Sequence, residues 1–438
     1  MTARRAAVLA LLVFGPPAAA QPVNLTETPK PGDVSRYAVE LAVSGHMTVL
    51  QEGRAQQLKL DAKARHRFAD RTLAAADGLP ARSARYYEEA VASAVVGGDK
   101  SDRALPADRR LIAAARTADG LFCFSPAGPL TRDDLDLVSE HFDPHCLAGL
   151  LPGQPVEVGD TWAVTNGAAR AAGSFDGLVK NGLTGKLVGV TDGVATFTVA
   201  GTAEGTENGG KVALTVAATG TFHVASGRVT GLSWKQTDDR DQGPVNPASK
   251  VEATVSLTRE VLAAAPPELA DAALAGKPLA DPPALLTHLR HADPKGRYQF
   301  VYPREWHVTG QTDAHLVLRL LDRGEFVAQA TVTGWKKAEA GKHATPDEFK
   351  KAVAESPGWA ATRVVEDGEL PTDAGRWVYR LAAEGKTEDL PVFQTFHLIA
   401  GPQGDQVVVT FVMKPERVKA LGTRDLALVN AVEVGAKK

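Results

Sequence analysis

The chain has 438 residues, of which 44% are hydrophobic and 23% are charged, and its formal net charge is −3. This length exceeds one ordinary domain core, so we expect two or three domains. The composition excludes an intrinsically disordered chain. The small negative charge gives no electrostatic basis for binding nucleic acid or an anionic membrane, so neither is expected as a partner.

Residues 1–20 have the pattern of an export signal peptide. Arg4 and Arg5 supply a positive start, the apolar run AAVLALLVF follows, and three alanines at 18–20 fit a cleavage site. This run is shorter than the roughly 20 residues that span a bilayer, and no later segment is long and apolar enough. We expect an exported protein without a membrane span, located in the periplasm or outside the cell, by either the general secretory or the twin-arginine route.

Residues 34–262 are predicted to form a β-rich domain. The stretches YAVELAVSGHMTVL and LKLDAKARHRF alternate apolar and polar residues, which indicates strands with one buried face. Asp192-Gly193 is typical of a hairpin turn between later apolar runs. Strands precede and follow a helical insert near residues 131–151. This order predicts a mostly antiparallel, curled sheet, half-barrel-like, around the insert, not a nucleotide-binding α/β fold.

Residues 263–296 are rich in alanine and proline and predict a linker. Beyond it, the region 297–438 opens with YQFVYPREW and continues with apolar hairpin strands. Its segment TPDEFKKAVAES predicts a helix with Thr345 as N-cap and Pro346 at the first position.

The motif YQFVYPREW resembles the opening of PsbP-like domains, which are named after an extrinsic protein of photosystem II. This resemblance implies an α/β/α sandwich built on an antiparallel sheet over residues 297–438, used as an adaptor without catalysis. The strand pattern of the N-terminal region loosely resembles the lipoprotein-carrier half-barrels of bacterial envelopes. The fold class expected for the whole chain is therefore α+β.

The segment HFDPHC brings two histidines, an aspartate and a cysteine together. The protein has two cysteines, and in an oxidising compartment we expect a disulfide between Cys123 and Cys146. Two alternatives stay open. The thiols could be free and buried, or the segment could be a site. In a site, His141 and His145 would ligate zinc with both cysteines, or Cys146 would act as a nucleophile with His141 as base and Asp143 as its partner.

The sequence contains no common hydrolase, metalloprotease, P-loop or dinucleotide motif, so no catalytic residue, metal or cofactor is predicted. We expect a non-enzymatic envelope protein that binds another envelope protein or a hydrophobic ligand on its N-terminal sheet. The alternatives are a thiol-dependent hydrolase or metal site centred on His141 and Cys146, and a structural component of a surface assembly. Whether the apolar face of the sheet is core or binding surface stays open.

Overall fold

The computed structural model describes residues 21–51, 54–117, 120–139, 142–372 and 375–435. The predicted signal peptide and His141 lie outside these residues. The structure is mostly antiparallel β-sheet, with 57% strand and 15% helix, arranged in several sheets. The predicted α+β class is therefore wrong.

Where the structure describes it, the N-terminal part contains two sheets and two short α-helices. Its strands are β1 (Val23–Asn24), β2 (Val34–Gln51), β3 (Arg54–Ala76), β4 (Leu79–Val96), β5 (Asp99–Ala104), β6 (Leu111–Thr117), β7 (Gly120–Phe124), β8 (Pro155–Val156), β9 (Thr161–Ala163), β10 (Gly177–Asn181), β11 (Thr184–Thr191), β12 (Val194–Glu207), β13 (Gly210–His223), β14 (Arg228–Arg240) and β15 (Ala248–Val261). Its helices are α1 (Arg132–Ser139) and α2 (Asn166–Ala172). The small sheet pairs β1 with β8.

The large N-terminal sheet has thirteen strands in the order β7-β6-β4-β3-β2-β15-β14-β13-β12-β11-β9, with β5 beside β4 and β10 beside β12. Its strands alternate buried and exposed residues, most regularly in β13, so one face packs on the core. We call this the inner face and its opposite the outer face. The earliest and latest of the long strands, β2 and β15, are neighbours and pair from Ser35–Val261 to Thr48–Ala248.

Helix α1 and a 3₁₀ helix at Pro144–Leu150 pack against the inner face. At the start of α1, the Asp134 N–H donates to Thr131 Oγ1 at 3.1 Å, and the Thr131 N–H donates to Asp134 Oδ2 at 3.0 Å. These reciprocal bonds satisfy two backbone donors of the helix start. Beyond the helix, the Phe142 ring lies 5.4 Å from that of Trp234 on β14.

The C-terminal part contains a seven-stranded and a three-stranded sheet. The helices are α3 (Asp271–Leu274), α4 (Ala284–Thr287), α5 (Pro346–Ala354), α6 (Val418–Leu421) and α7 (Arg424–Ala431). The strands are β16 (Leu289–Ala292), β17 (Tyr298–Tyr302), β18 (Trp306–Gln311), β19 (His315–Asp322), β20 (Glu325–Trp335), β21 (Trp359–Leu370), β22 (Trp377–Thr387), β23 (Leu390–Ala400), β24 (Gln406–Met413) and β25 (Glu433–Val434). Their orders are β18-β19-β20-β24-β23-β22-β21 and β16-β17-β25.

The α/β/α sandwich predicted for residues 297–438 is also wrong, because the helices are too few and too short to form two layers. On one face of the seven-stranded sheet, the nine-residue α5 buries Phe349 and Val353. The other face shares its core with the eight-residue α7 and with aromatic residues of β17, such as Phe300. Helices therefore cover only part of either face.

The two large sheets share one apolar core, which includes Trp234 of the N-terminal sheet and Trp306 of the C-terminal sheet. Arg304 adds polar contacts between them. Its guanidinium donates to the Cys123 carbonyl oxygen at 2.6 Å and stacks 4.4 Å from the ring centroid of Phe122. Within the described ranges, no helix combines the length and apolar character needed to cross a membrane.

Candidate functional site

The HFDPHC segment is buried wherever the structure describes it. Asp143, His145 and Cys146 are each at most 5% exposed. Asp143 precedes the 3₁₀ helix as its N-cap, and its side chain accepts a hydrogen bond from the His145 backbone N–H. The segment is therefore held inside the protein by its own helix start.

Three residues of β3 and β4 surround this segment with a buried polar network. Arg85 is fully buried and donates to Asp70 Oδ2 at 2.8 Å and to Asp143 Oδ1 at 2.9 Å. Ser83 Oγ lies 2.8 Å from Asp70 Oδ2 and 3.0 Å from His145 Nε2. The network thus joins two neighbouring strands to the helical insert.

Each charge in this network is paired with an opposite charge, because an unpaired buried charge is energetically costly. Burial alone would raise the pKa of Asp70, but the hydrogen bond with His145 and the charge of Arg85 lower it to about 2. Burial likewise opposes ionisation of Asp143, yet nearby His145, Arg85 and Arg116 hold its pKa well below the usual range. Both carboxylates are therefore ionised near neutral pH.

Ser83, His145 and Asp70 do not have the geometry of a nucleophilic triad. In such a triad, the acid and the serine bond opposite nitrogens of the imidazole. In this network, Ser83 and Asp70 approach the same nitrogen, Nε2, and Asp70 Oδ2 is 3.5 Å from it. Ser83 is also only 1% exposed. The arrangement stabilises the insert and offers no access to a substrate.

The sequence interpretation missed Asp70, Ser83 and Arg85, although a signal was present. The inward residues of β3 run in steps of two to Phe68, and Asp70 is the next position of that series. A carboxylate at an inward position requires a buried partner. The alternation of inward and outward residues therefore could have identified Asp70 as part of an internal network. It could not have identified the cation that pairs with it.

The predicted disulfide is wrong, because Cys123 and Cys146 are free, buried thiols. The Cys123 thiol instead donates to the Val138 carbonyl oxygen at 3.6 Å. Both cysteines pack in the apolar core, which corresponds to the alternative of two buried thiols. Burial raises the pKa of Cys123 to about 11 and that of Cys146 still further. Neither is a thiolate near neutral pH, which is the form that a nucleophilic cysteine needs.

The zinc alternative finds no support in the part of the chain that the structure describes. No three His, Cys, Asp or Glu side chains there form a group that could hold a metal ion. His145 Nε2 instead contacts Ser83. The fourth proposed ligand, His141, lies outside the described residues.

The inner face of the N-terminal sheet extends beyond the core. On β2, Tyr37 and Val39 are buried, whereas Val43 and Met47 on the same face are half-buried. Register continues this surface onto the adjoining strands β3 and β15. We call it the open apolar patch; its members are Val43, Met47, Leu58, Leu60, Ala62 and Val251. None of these six belongs to the apolar core formed by the described residues.

Next to this patch lies a cavity of about 800 Å³, which we call the intersheet cleft. Met47 and α1 border it on one side, and β16 and β18 border it on the other. Its size falls within the roughly 300–1,000 Å³ of small-molecule pockets. The cleft and the patch share Met47, so a polar cavity and an apolar surface are continuous.

Charged residues of the cleft lining are partly paired. Arg103 lies 3.0 Å from Asp133 and 3.3 Å from Asp136, and Arg132 lies 2.8 Å from Asp136. Arg290 instead donates to the neutral Gln299 Oε1 at 3.1 Å. The cleft thus combines a compensated ion cluster with one arginine whose described bond is to a neutral amide.

Two histidines of the cleft are neutral near neutral pH. Burial and the charge of Arg132 lower the pKa of His307 to about 4. Burial also lowers the pKa of His291, and its Nε2 is buried without a hydrogen-bond partner among the described residues. These imidazoles therefore supply polar atoms without adding charge.

A larger groove, of about 880 Å³, crosses β2, β3 and their neighbours. Its charged lining includes the exposed residues Glu40, Lys63, Arg65 and Lys235. These side chains carry both signs, and Arg65 pairs with Glu89 at 2.8 Å. This mixture is typical of the solvated face of an antiparallel sheet.

No protein-family model matches the chain, and no curated protein matches its sequence. Among solved structures, PsbP (CyanoP) of the cyanobacterium Synechocystis is 17% identical over 34% of this chain and 92% of its own, with a TM-score of 0.26. The Ran-binding protein Mog1p of Saccharomyces cerevisiae is 12% identical over 34% of this chain and 96% of its own, with a TM-score of 0.26.

Lipovitellin, in a structure concerned with lipid–protein interactions, is 9% identical over 55% of this chain and 26% of its own, with a TM-score of 0.34. All three scores are too low to support a functional argument. The predicted likeness to lipoprotein carriers stays a prediction. The chain is weakly similar to PsbP over about a third of its length, and this similarity does not assign it to a family.

Proposed function

We propose that this chain is a non-enzymatic binding protein that holds a hydrophobic ligand against the open apolar patch. One observation carries the proposal: the inner face of β2 stays apolar after the core ends, as Val39 gives way to the half-buried Val43 and Met47. Covering apolar surface is favourable by about 25 cal/mol per Å². A ligand on this surface would therefore gain binding free energy without disturbing the core.

The proposal includes an envelope location, either in the periplasm or outside the cell. Its support is the sequence pattern of residues 1–20. A hydrophobic ligand in an aqueous compartment needs a protein surface to shield it from water. Another envelope protein could receive the ligand or dock on the C-terminal sheet as an adaptor partner.

Binding of a fluorescent hydrophobic probe to two neighbouring variants tests the patch. Val43 faces inward and Ala42 faces outward on the same strand, and both are half-buried. Val43→Lys places a charge on the patch, so we expect it to weaken probe binding by about tenfold or more. Ala42→Lys places the same charge on the outer face and is expected to leave binding unchanged.

Mild extraction and native mass spectrometry of the natural protein provide a second readout. A co-purified hydrophobic molecule that is lost in Val43→Lys would support the proposal. If neither the natural chain nor Ala42→Lys binds any hydrophobic probe, the proposed function is wrong.

A further inference from the structure

We propose, resting on the proposed function, that the intersheet cleft binds the carboxylate of a long-chain fatty acid whose acyl chain lies on the open apolar patch. The cleft and the patch are continuous at one residue. Met47 belongs to the patch and also lines the cleft. A single molecule with an apolar chain and a polar end can therefore occupy both surfaces.

The charged side chains of the cleft lining leave a positive excess. The cleft lining contains three arginines and two aspartates, while its histidines, His291 and His307, are neutral. Asp133 and Asp136 pair with Arg103 and Arg132. One positive charge is left, on Arg290, whose described bond is to the neutral Gln299 Oε1 at 3.1 Å. A ligand with one negative charge would neutralise this excess.

Arg290 supplies the hydrogen-bond donors that such a ligand needs. A carboxylate only accepts hydrogen bonds, and it pairs well with a guanidinium. A carboxylate at the cleft lining would therefore form charge-assisted hydrogen bonds with Arg290.

Three ligands that share one chain length should differ in their affinity for this site. Palmitate supplies the chain and the negative charge, hexadecanol supplies the chain with a neutral hydroxyl, and hexadecylamine carries a positive charge. Charge-assisted hydrogen bonds are stronger than neutral ones, so palmitate should bind about tenfold or more tightly than hexadecanol. Hexadecylamine should bind most weakly, because its charge repels Arg290.

Isothermal titration calorimetry of the full chain, below the aggregation concentration of each ligand, measures this ranking. In Arg290→Gln, the affinity for palmitate should fall to that for hexadecanol, while the hexadecanol affinity stays unchanged. Arg290→Lys keeps the charge and should keep the preference for palmitate. Arg65→Gln, on the exposed outer face, serves as the matched control and should behave as the natural chain does.

The outcomes separate the inference from the function on which it rests. If palmitate and hexadecanol bind equally, and Val43→Lys weakens both, the carboxylate site is wrong while the hydrophobic-ligand function stands. If none of the three ligands binds, the carboxylate site is wrong, and the fluorescent-probe assay described above decides the hydrophobic-ligand function separately. If Arg290→Gln does not fold, the ranking of the three ligands on the natural chain decides the question.

Discussion

Arg85 is the buried cation on which the HFDPHC segment depends, because it bonds a carboxylate of the sheet and one of the insert. Removing one partner of a buried ion pair leaves an uncompensated charge, which costs more than an exposed pair gains. Asp70 and Asp143 are therefore tied to the folded state by their ionised forms. Protonating them should weaken that state.

The acid stability of the protein should show this dependence. The pKa of Asp70 in the folded protein is about 2, below its ordinary 3.8. Its ionised form therefore stabilises the fold above about pH 4, and this contribution is lost as the pH falls towards 2. This difference between the two pKa values corresponds to about 2 kcal/mol of folding stability. We expect Asp70→Asn to lower the free energy of unfolding by about this amount at pH 6, and by much less at pH 2.

Urea unfolding over this pH range measures both values. Asp61→Asn is the matched control, because Asp61 lies on the same strand but its side chain is 48% exposed beside Lys59. It should have little effect at any pH. If Asp70→Asn lowers the free energy of unfolding by the same amount at pH 6 and at pH 2, the lowered pKa of Asp70 does not stabilise the fold as proposed.

At the scale of elements, α5 shows how far local sequence determines structure. The residues predict its start at Pro346 with Thr345 as N-cap, and the structure confirms both. The Glu348 N–H donates to Thr345 Oγ1 at 3.2 Å, and the Thr345 N–H donates to Glu348 Oε2 at 2.8 Å. Only four consecutive residues are needed for this cap, so the sequence contains all of the information.

Removing the cap should destabilise the protein by a small, defined amount. Thr345→Ala removes the hydroxyl that accepts from Glu348, and we expect it to lower the free energy of unfolding by about 1 kcal/mol. Thr345→Ser keeps a hydroxyl in the same place and should retain most of the stability. Chemical denaturation of the two variants measures the difference. Equal losses in both would show that the hydroxyl contributes nothing.

At the scale of the whole molecule, the shared core couples the two large sheets. We expect the natural chain to unfold in one calorimetric transition, with calorimetric and van't Hoff enthalpies that agree. Arg304 donates from the C-terminal region to the Cys123 carbonyl oxygen on β7, so Arg304→Ala should weaken the coupling and broaden or split the transition.

The matched control for this coupling is Arg363→Ala, because Arg363 pairs with Glu384 on an exposed part of the C-terminal sheet. It should leave a single transition. Two well-separated transitions in the natural protein would show that the sheets unfold independently, contrary to expectation.

Alternation of apolar and polar residues predicted the strands around Tyr37 and Leu58, because each strand reports its own buried face. The alternation does not show whether that face is core or binding surface. Within β2 the same face changes from buried at Val39 to half-buried at Val43. No local pattern encodes where the core against this sheet ends. The fate of Cys123 and Cys146 was unpredictable for the same reason, since it depends on contacts distant in sequence.

The pairing of β2 with β15 has a consequence for how the protein acquires its binding surface. Val43 lies opposite Ala253, 210 residues later (253 − 43). Neighbouring hairpins can form soon after synthesis, but this closure joins distant segments and is entropically slow. Val251 of β15 completes the open apolar patch beside β2 and β3. More than half of the chain must therefore be synthesised before the complete patch can form and bind a ligand.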